Sequence, residues 1–193
     1  MATHPGYTYD TTLDPSPVST ADLEELQASV LWTAADRVAL RRAGDLLVPQ
    51  TEQILDVWYG FVGGTPHLVS TFAGADGQPS GPYLNAVRAR FGQWIADLTT
   101  RDFDEQWLAY QEEVGRRHHP AKKNATDSID SPSRHVPLRH LVALIVPITV
   151  TIRPFLESGE SDPHQVEAMY QAWFKAVTLT VALWSRPYAP QTW

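Results

Sequence analysis

Trp107-Leu108-Ala109-Tyr110-Gln111-Glu112-Glu113-Val114-Gly115-Arg116-Arg117-His118-His119-Pro120 reads as an amphipathic helix followed by its stop. At helical period Trp107, Gln111, Val114 and His118 share one face. Pro120 restricts His119 and has no amide hydrogen, so the helix ends there. His118 therefore closes a mostly apolar stripe and faces inward, while His119 turns toward the line of Leu108, Glu112 and Gly115. An inward histidine at a helix end can offer one ring nitrogen to a metal. His118, not His119, is the candidate for such chemistry. On spacing alone a plainer reading stands beside it, a histidine that complements the helix dipole.

The rest of the chain narrows the choice. It has 193 residues, enough for one domain with a sizeable core, and 43% hydrophobic against 19% charged residues marks a folded chain. The net charge of -7 argues against nucleic-acid binding. With no cysteine there is no disulfide, thiolate catalysis, iron–sulfur cluster or CxxCH haem attachment. No signal peptide is visible. The apolar run 141–152 is short and carries Pro147, so it reads as a buried helix and not a membrane span. A cytoplasmic protein is expected.

Residues 1–18 form an irregular arm whose Tyr7 and Tyr9 should pack down. Helices are expected over about 21–30, 34–47 (Thr33 and Asp36 as a capping box), 49–63, 65–72, 83–99, 104–118, 138–156 and 163–184. Pro147 and Pro154 should bend the seventh or end it early. Residues 120–133 read as a polar, mobile connection. No strand, repeat or linker is evident. The expectation is one all-α domain over 1–193, with 1–18 as its arm.

One chemistry suits these helices. A haem pocket needs an axial ligand, an apolar slot and side chains that control access. His118 offers the ligand, Trp58 and Tyr59 large walls and Phe91 a ring, although each aromatic taken singly reads as ordinary core. Burying a porphyrin is worth on the order of 10 kcal/mol of apolar transfer. Zincin, EF-hand, di-iron, phosphate-loop and nucleophile-elbow patterns are missing.

The segments Pro5-Gly-Tyr-Thr-Tyr9, Ile54-Leu-Asp-Val-Trp-Tyr-Gly-Phe-Val62, Val87-Arg-Ala-Arg-Phe91, Trp107-Leu-Ala-Tyr-Gln111, Arg117-His-His119, Lys122-Lys-Asn124, Pro147-Ile-Thr149, Met169-Tyr-Gln-Ala-Trp-Phe-Lys175 and Val181-Ala-Leu-Trp-Ser185 together resemble a protoglobin. The resemblance covers nearly the whole chain. It implies a three-over-three globin fold with an extra helix before helix A and an N-terminal arm that helps bury haem b. It makes His118 the proximal iron ligand. Trp58 and Tyr59 then lie on the distal side, Tyr59 as hydrogen-bond donor to a bound gas. Phe91 fills the position where many globins have histidine, Arg90 faces the propionates, and Val136, Leu144 and Ile148 belong to the haem surroundings. A homodimer through the last two long helices is implied as well.

The function expected is reversible binding or sensing of O2, CO or NO at a five-coordinate ferrous iron. The alternatives are a haem enzyme (NO, nitrite or peroxide chemistry, or promiscuous carbene transfer) and a haem-free helical module. A distal His/Arg pair of the kind that assists O–O cleavage is missing, which counts against the enzyme.

Overall fold

Two reciprocal capping boxes start the helical body. Ser19 and Asp22 open α1 (Thr20–Ser29), and Thr33 and Asp36 open α2 (Ala34–Leu47), each side chain bonded to the other residue's backbone N–H. A 3-10 turn over Val48–Gln50 leads into α3 (Thr51–Gly63), and α4 (Pro66–Val69) runs on into another over Ser70–Phe72. The long helices follow: α5 (Gly81–Thr100), α6 (Glu105–His118), α7 (Leu138–Gly159) and α8 (Pro163–Ser185). Asp104 and Asp162 cap α6 and α8, with Pro163 in the first turn of α8. This computed structural model describes residues 4–9 and 11–193, and no strand occurs among them.

The helices form two layers. α2 packs on α5, and against them lie α7 and α8, whose mutual contact is the most extensive in the fold; α6 rests on α8, and α3 on α5 and α7. One buried cluster joins them through Leu40, Leu55, Ile95, Trp107, Ile152 and Trp173.

Helix α6 lies close on α8 because Gly115 has no side chain. A Cβ there would come within 3.0 Å of the Trp184 Cα and 3.2 Å of its carbonyl oxygen. Backbone atoms cannot swing aside, so G115A should push α6 off α8 and destabilise the fold by about 1–3 kcal/mol. A thermal melt lowered by several degrees is expected; an unchanged melt would show that the crossing has slack.

Three sequence expectations change. The chain between α6 and α7 is a run of closed turns, with Lys123 N–H on the His119 carbonyl at 3.1 Å, Ile129 N–H on the Asn124 carbonyl at 2.9 Å, and Lys123 and Ser131 buried. Pro147 and Pro154 do not end α7, which keeps 22 residues. Each costs roughly 3 kcal/mol in an isolated helix, and the contact along α8 offsets this. Nor is α7 buried all round. Only Leu141, Thr149, Ile152 and Leu156 are buried, while Val142, Val146 and Val150 stay exposed one turn apart. By length and composition alone it could cross a membrane.

The arm packs down as its aromatics suggested. Tyr9 is buried edge-on to Tyr110 at 5.0 Å, and the Tyr7 hydroxyl donates to the buried Asp97 at 2.8 Å. The Arg117 guanidinium donates to the Gly6 carbonyl at 2.5 Å, and Arg90 to the Pro5 carbonyl at 2.8 Å. Gly6 has φ +76°, and a Cβ there would sit 2.7 Å from Arg90 Nη1, so only glycine lets the arm pass.

Candidate functional site

A cavity opens between the layers with about 1410 Å³ of space free of protein atoms, its mouth included. All eight residues singled out in the sequence border it: Trp58, Tyr59, Arg90, Phe91, His118, Val136, Leu144 and Ile148. They come from four stretches far apart in the chain and meet only in the fold.

His118 sits in the last turn of α6, where Pro120 and the extended backbone of His119 stop the helix. Its ring Nδ1 lies 2.9 Å from the Val114 carbonyl oxygen, one turn back. A carbonyl only accepts, so Nδ1 carries the proton and Nε2 is left with its lone pair. No hydrogen bond engages Nε2 among the described residues. Burial drives the pKa of His118 down to about 4, so the ring is neutral at pH 7. A neutral imidazole with its outer nitrogen unengaged is the form that ligates metals.

Trp184 of α8 stacks on the His118 ring, centroids 4.8 Å apart and planes 25° from parallel. Its indole N–H donates to the Gln111 side-chain oxygen at 3.0 Å. Gln111 lies on the same α6 stripe as His118, so one helix face positions both the imidazole and the ring that steers it. The His118 carbonyl accepts the Val136 N–H at 2.8 Å, and the Val136 carbonyl accepts the Tyr188 hydroxyl at 2.6 Å, which pins the chain before α7 to the helix end. His119 instead meets Tyr188 edge-on at 5.1 Å and does not border the cavity.

A second wall is aromatic. Trp58 meets Phe91 edge-on at 5.6 Å, Phe91 meets Trp94 at 5.5 Å, and Tyr59 packs on Phe72 at 6.4 Å. No hydrogen bond of the Tyr59 hydroxyl occurs among the described residues, and burial holds its pKa far above the ordinary phenol value. Its hydroxyl is a neutral donor without a hydrogen-bond partner among the described residues. Val62, Leu68, Leu141 and Leu144 complete an apolar lining.

The remaining wall is polar, and besides Arg90 it takes Arg117 and Lys123 from the locally basic run 116–123, which the sequence also offers as a partner for an anionic ligand. The Arg90 guanidinium forms a two-pronged pair with Asp127, at 2.8 and 2.6 Å. Arg117 pairs with Glu113 at 2.8 Å, and Tyr83, Tyr110, Thr126 and Lys123 stand beside them. Burial pushes the Tyr83 phenol up to about 12. No sequence periodicity marks these residues, since several sit in the turns after α6.

The arrangement fits a large flat apolar ligand with a metal centre and a polar edge. It offers one nitrogen ligand, aromatic and aliphatic walls, and a charged rim. No group of three or more His, Cys, Asp or Glu that could hold a bare metal ion occurs among the described residues.

The family described as Protoglobin matches residues 19–193. No curated protein sequence matches the chain. Among solved structures, the globin domain of the Geobacter sulfurreducens globin-coupled sensor is similar in fold, with TM-score 0.64 and 13% identity over 86% of this chain and 96% of that one.

Proposed function

The chain belongs to the protoglobin family and has a globin fold, and on that premise we propose that it reversibly binds O2, CO or NO as a gas carrier or sensor, with haem b held by His118 alone. The observation that carries this reading is the His118 imidazole, its Nδ1–H anchored on the Val114 carbonyl and its Nε2 unengaged at the wall of a large cavity. When bound, haem would supply a ferrous iron able to take a diatomic gas.

The protein's own groups do the rest. Val114 fixes the tautomer and Trp184 the ring plane, so the ligand nitrogen is set before the cofactor arrives. Trp58 and Phe91 carry no strong ligand and exclude bulk water. Tyr59 donates a hydrogen bond to the more negatively charged gas, which favours O2 over CO. Val136, Leu144 and Ile148, which line the cavity, would hold the porphyrin by apolar contact.

Pairing of two copies through α7 and α8 belongs to the same reading. The exposed row Val142, Val146 and Val150, with the exposed Phe174 of α8, is the apolar face that such a dimer would cover. The reading is tested by absorption spectra of the reduced, haem-loaded protein under inert gas, O2 and CO.

A further inference from the structure

Three side-chain cations border the cavity: Arg90, Arg117 and Lys123. Two are already engaged. Arg90 gives both prongs to Asp127 and one also to the Pro5 carbonyl. Arg117 uses all three of its nitrogens, on Glu113, the Gly6 carbonyl and the Thr8 hydroxyl. These arginines spend their charge holding the arm on α5 and α6.

Lys123 differs. It is 4% exposed, and its Nζ partners are neutral oxygens, Asn124 Oδ1 at 3.1 Å and the Ser133 carbonyl at 3.0 Å. No ion pair of Lys123 occurs among the described residues. The turn fixes its backbone through the bond to His119, and Nζ lies 5.4 Å from the Tyr83 ring centre. A buried ammonium without a counterion is costly unless something anionic completes it. Burial accordingly lowers its pKa to about 8. The lining is otherwise mostly apolar, so the missing partner is the anionic edge of a large apolar molecule and not a free inorganic anion.

We propose that Lys123, and not Arg90, receives a carboxylate of the porphyrin held in this cavity. The inference rests on the haem reading above. Its ammonium replaces the neutral oxygens, or shares them, and the cofactor's charged edge is neutralised inside the protein.

The test titrates apoprotein with ferric protoporphyrin and with its dimethyl ester, which keeps ring and iron but loses both negative charges. Wild type should bind the diacid about tenfold tighter than the diester, the scale of one charge-assisted hydrogen bond. K123Q and K123M should bring the two within about twofold, and K123R should restore most of the difference. Helical circular dichroism and urea midpoints check folding, and the apo variants should be no less stable than wild type, since each removes an unpaired buried charge. Either variant suffices if the other fails to fold. A folded variant that keeps the wild-type preference for the diacid overturns the proposal. Wild type that binds neither porphyrin overturns the haem reading instead, and the proposal with it.

Discussion

H118A is expected to abolish the five-coordinate ferrous spectrum of the haem-loaded protein, and added imidazole to restore it. The substitution removes the one nitrogen of α6 that reaches the cavity wall with an unengaged lone pair. It leaves a space shaped like an imidazole, floored by Trp184. A free imidazole can occupy that space and donate its N–H to the Val114 carbonyl, although without the covalent tether. Losing a metal–nitrogen bond costs more than the ~1 kcal/mol net of an ordinary hydrogen bond, so haem affinity should fall by about 100-fold or more. A dipole-only histidine would behave otherwise: H118A would then lower stability slightly and leave the spectrum alone. An unchanged ferrous spectrum in H118A would remove His118 from the metal. H119A is the control, since His119 lies on Tyr188 away from the cavity, and it should leave the spectrum as it is.

The second large effect is expected from Y59F. Phenylalanine keeps the ring that packs on Phe72 and removes only the hydroxyl, which has no partner among the described residues. Folding stability should therefore change little, because no protein hydrogen bond is lost. The phenol is neutral across the physiological range, so it acts only as a neutral donor. A hydrogen bond to a charged acceptor is worth about 1.5–3 kcal/mol, so the O2 dissociation rate should rise by about 10- to 100-fold. CO carries less negative charge and should dissociate no more than about threefold faster. Stopped-flow and flash-photolysis rates for both gases measure this. Equal changes for O2 and CO would mean that Tyr59 acts through cavity shape and not as a donor.

These effects trace to features of very different visibility in the sequence. Helix α6 was legible because its stripe is local and Pro120 ends it. The same holds for the Thr33–Asp36 box and the Asp162–Pro163 start of α8, where a few neighbouring residues decide the geometry. All eight expected pocket residues border one cavity, six of them aromatic (His118 included) or aliphatic side chains on helices, with Arg90 on its polar side and Val136 in the chain before α7.

What stayed hidden depends on partners far along the chain. Asp97 is 3% exposed because Tyr7 of the arm donates to it, a contact across most of the first hundred residues. Trp184 orients His118 only because Gly115 lets α6 and α8 approach. Lys123 lies in a stretch whose composition reads as solvated loop, yet the turns fold it under the cavity against Ser133. The prolines of α7 do not end it early for a related reason. Local rules price an isolated helix, whereas α7 is held by its length of contact with α8.

The arm carries a lesson of its own. Both arginines near the cavity look, in sequence, like partners for an anionic ligand. In the fold their charges are spent on Asp127, Glu113 and the arm's carbonyls, and the lysine in the turn is left with neutral partners. Charge type alone did not distinguish them; the partners of each nitrogen did.

The most direct test of a single-imidazole haem site is the absorption spectrum of the reduced, haem-loaded protein under inert gas and then under CO. The expected result is a five-coordinate high-spin ferrous spectrum that converts fully to a six-coordinate CO form and returns when CO is photolysed. A six-coordinate ferrous spectrum before any gas is added, or no Soret band at all, would contradict it.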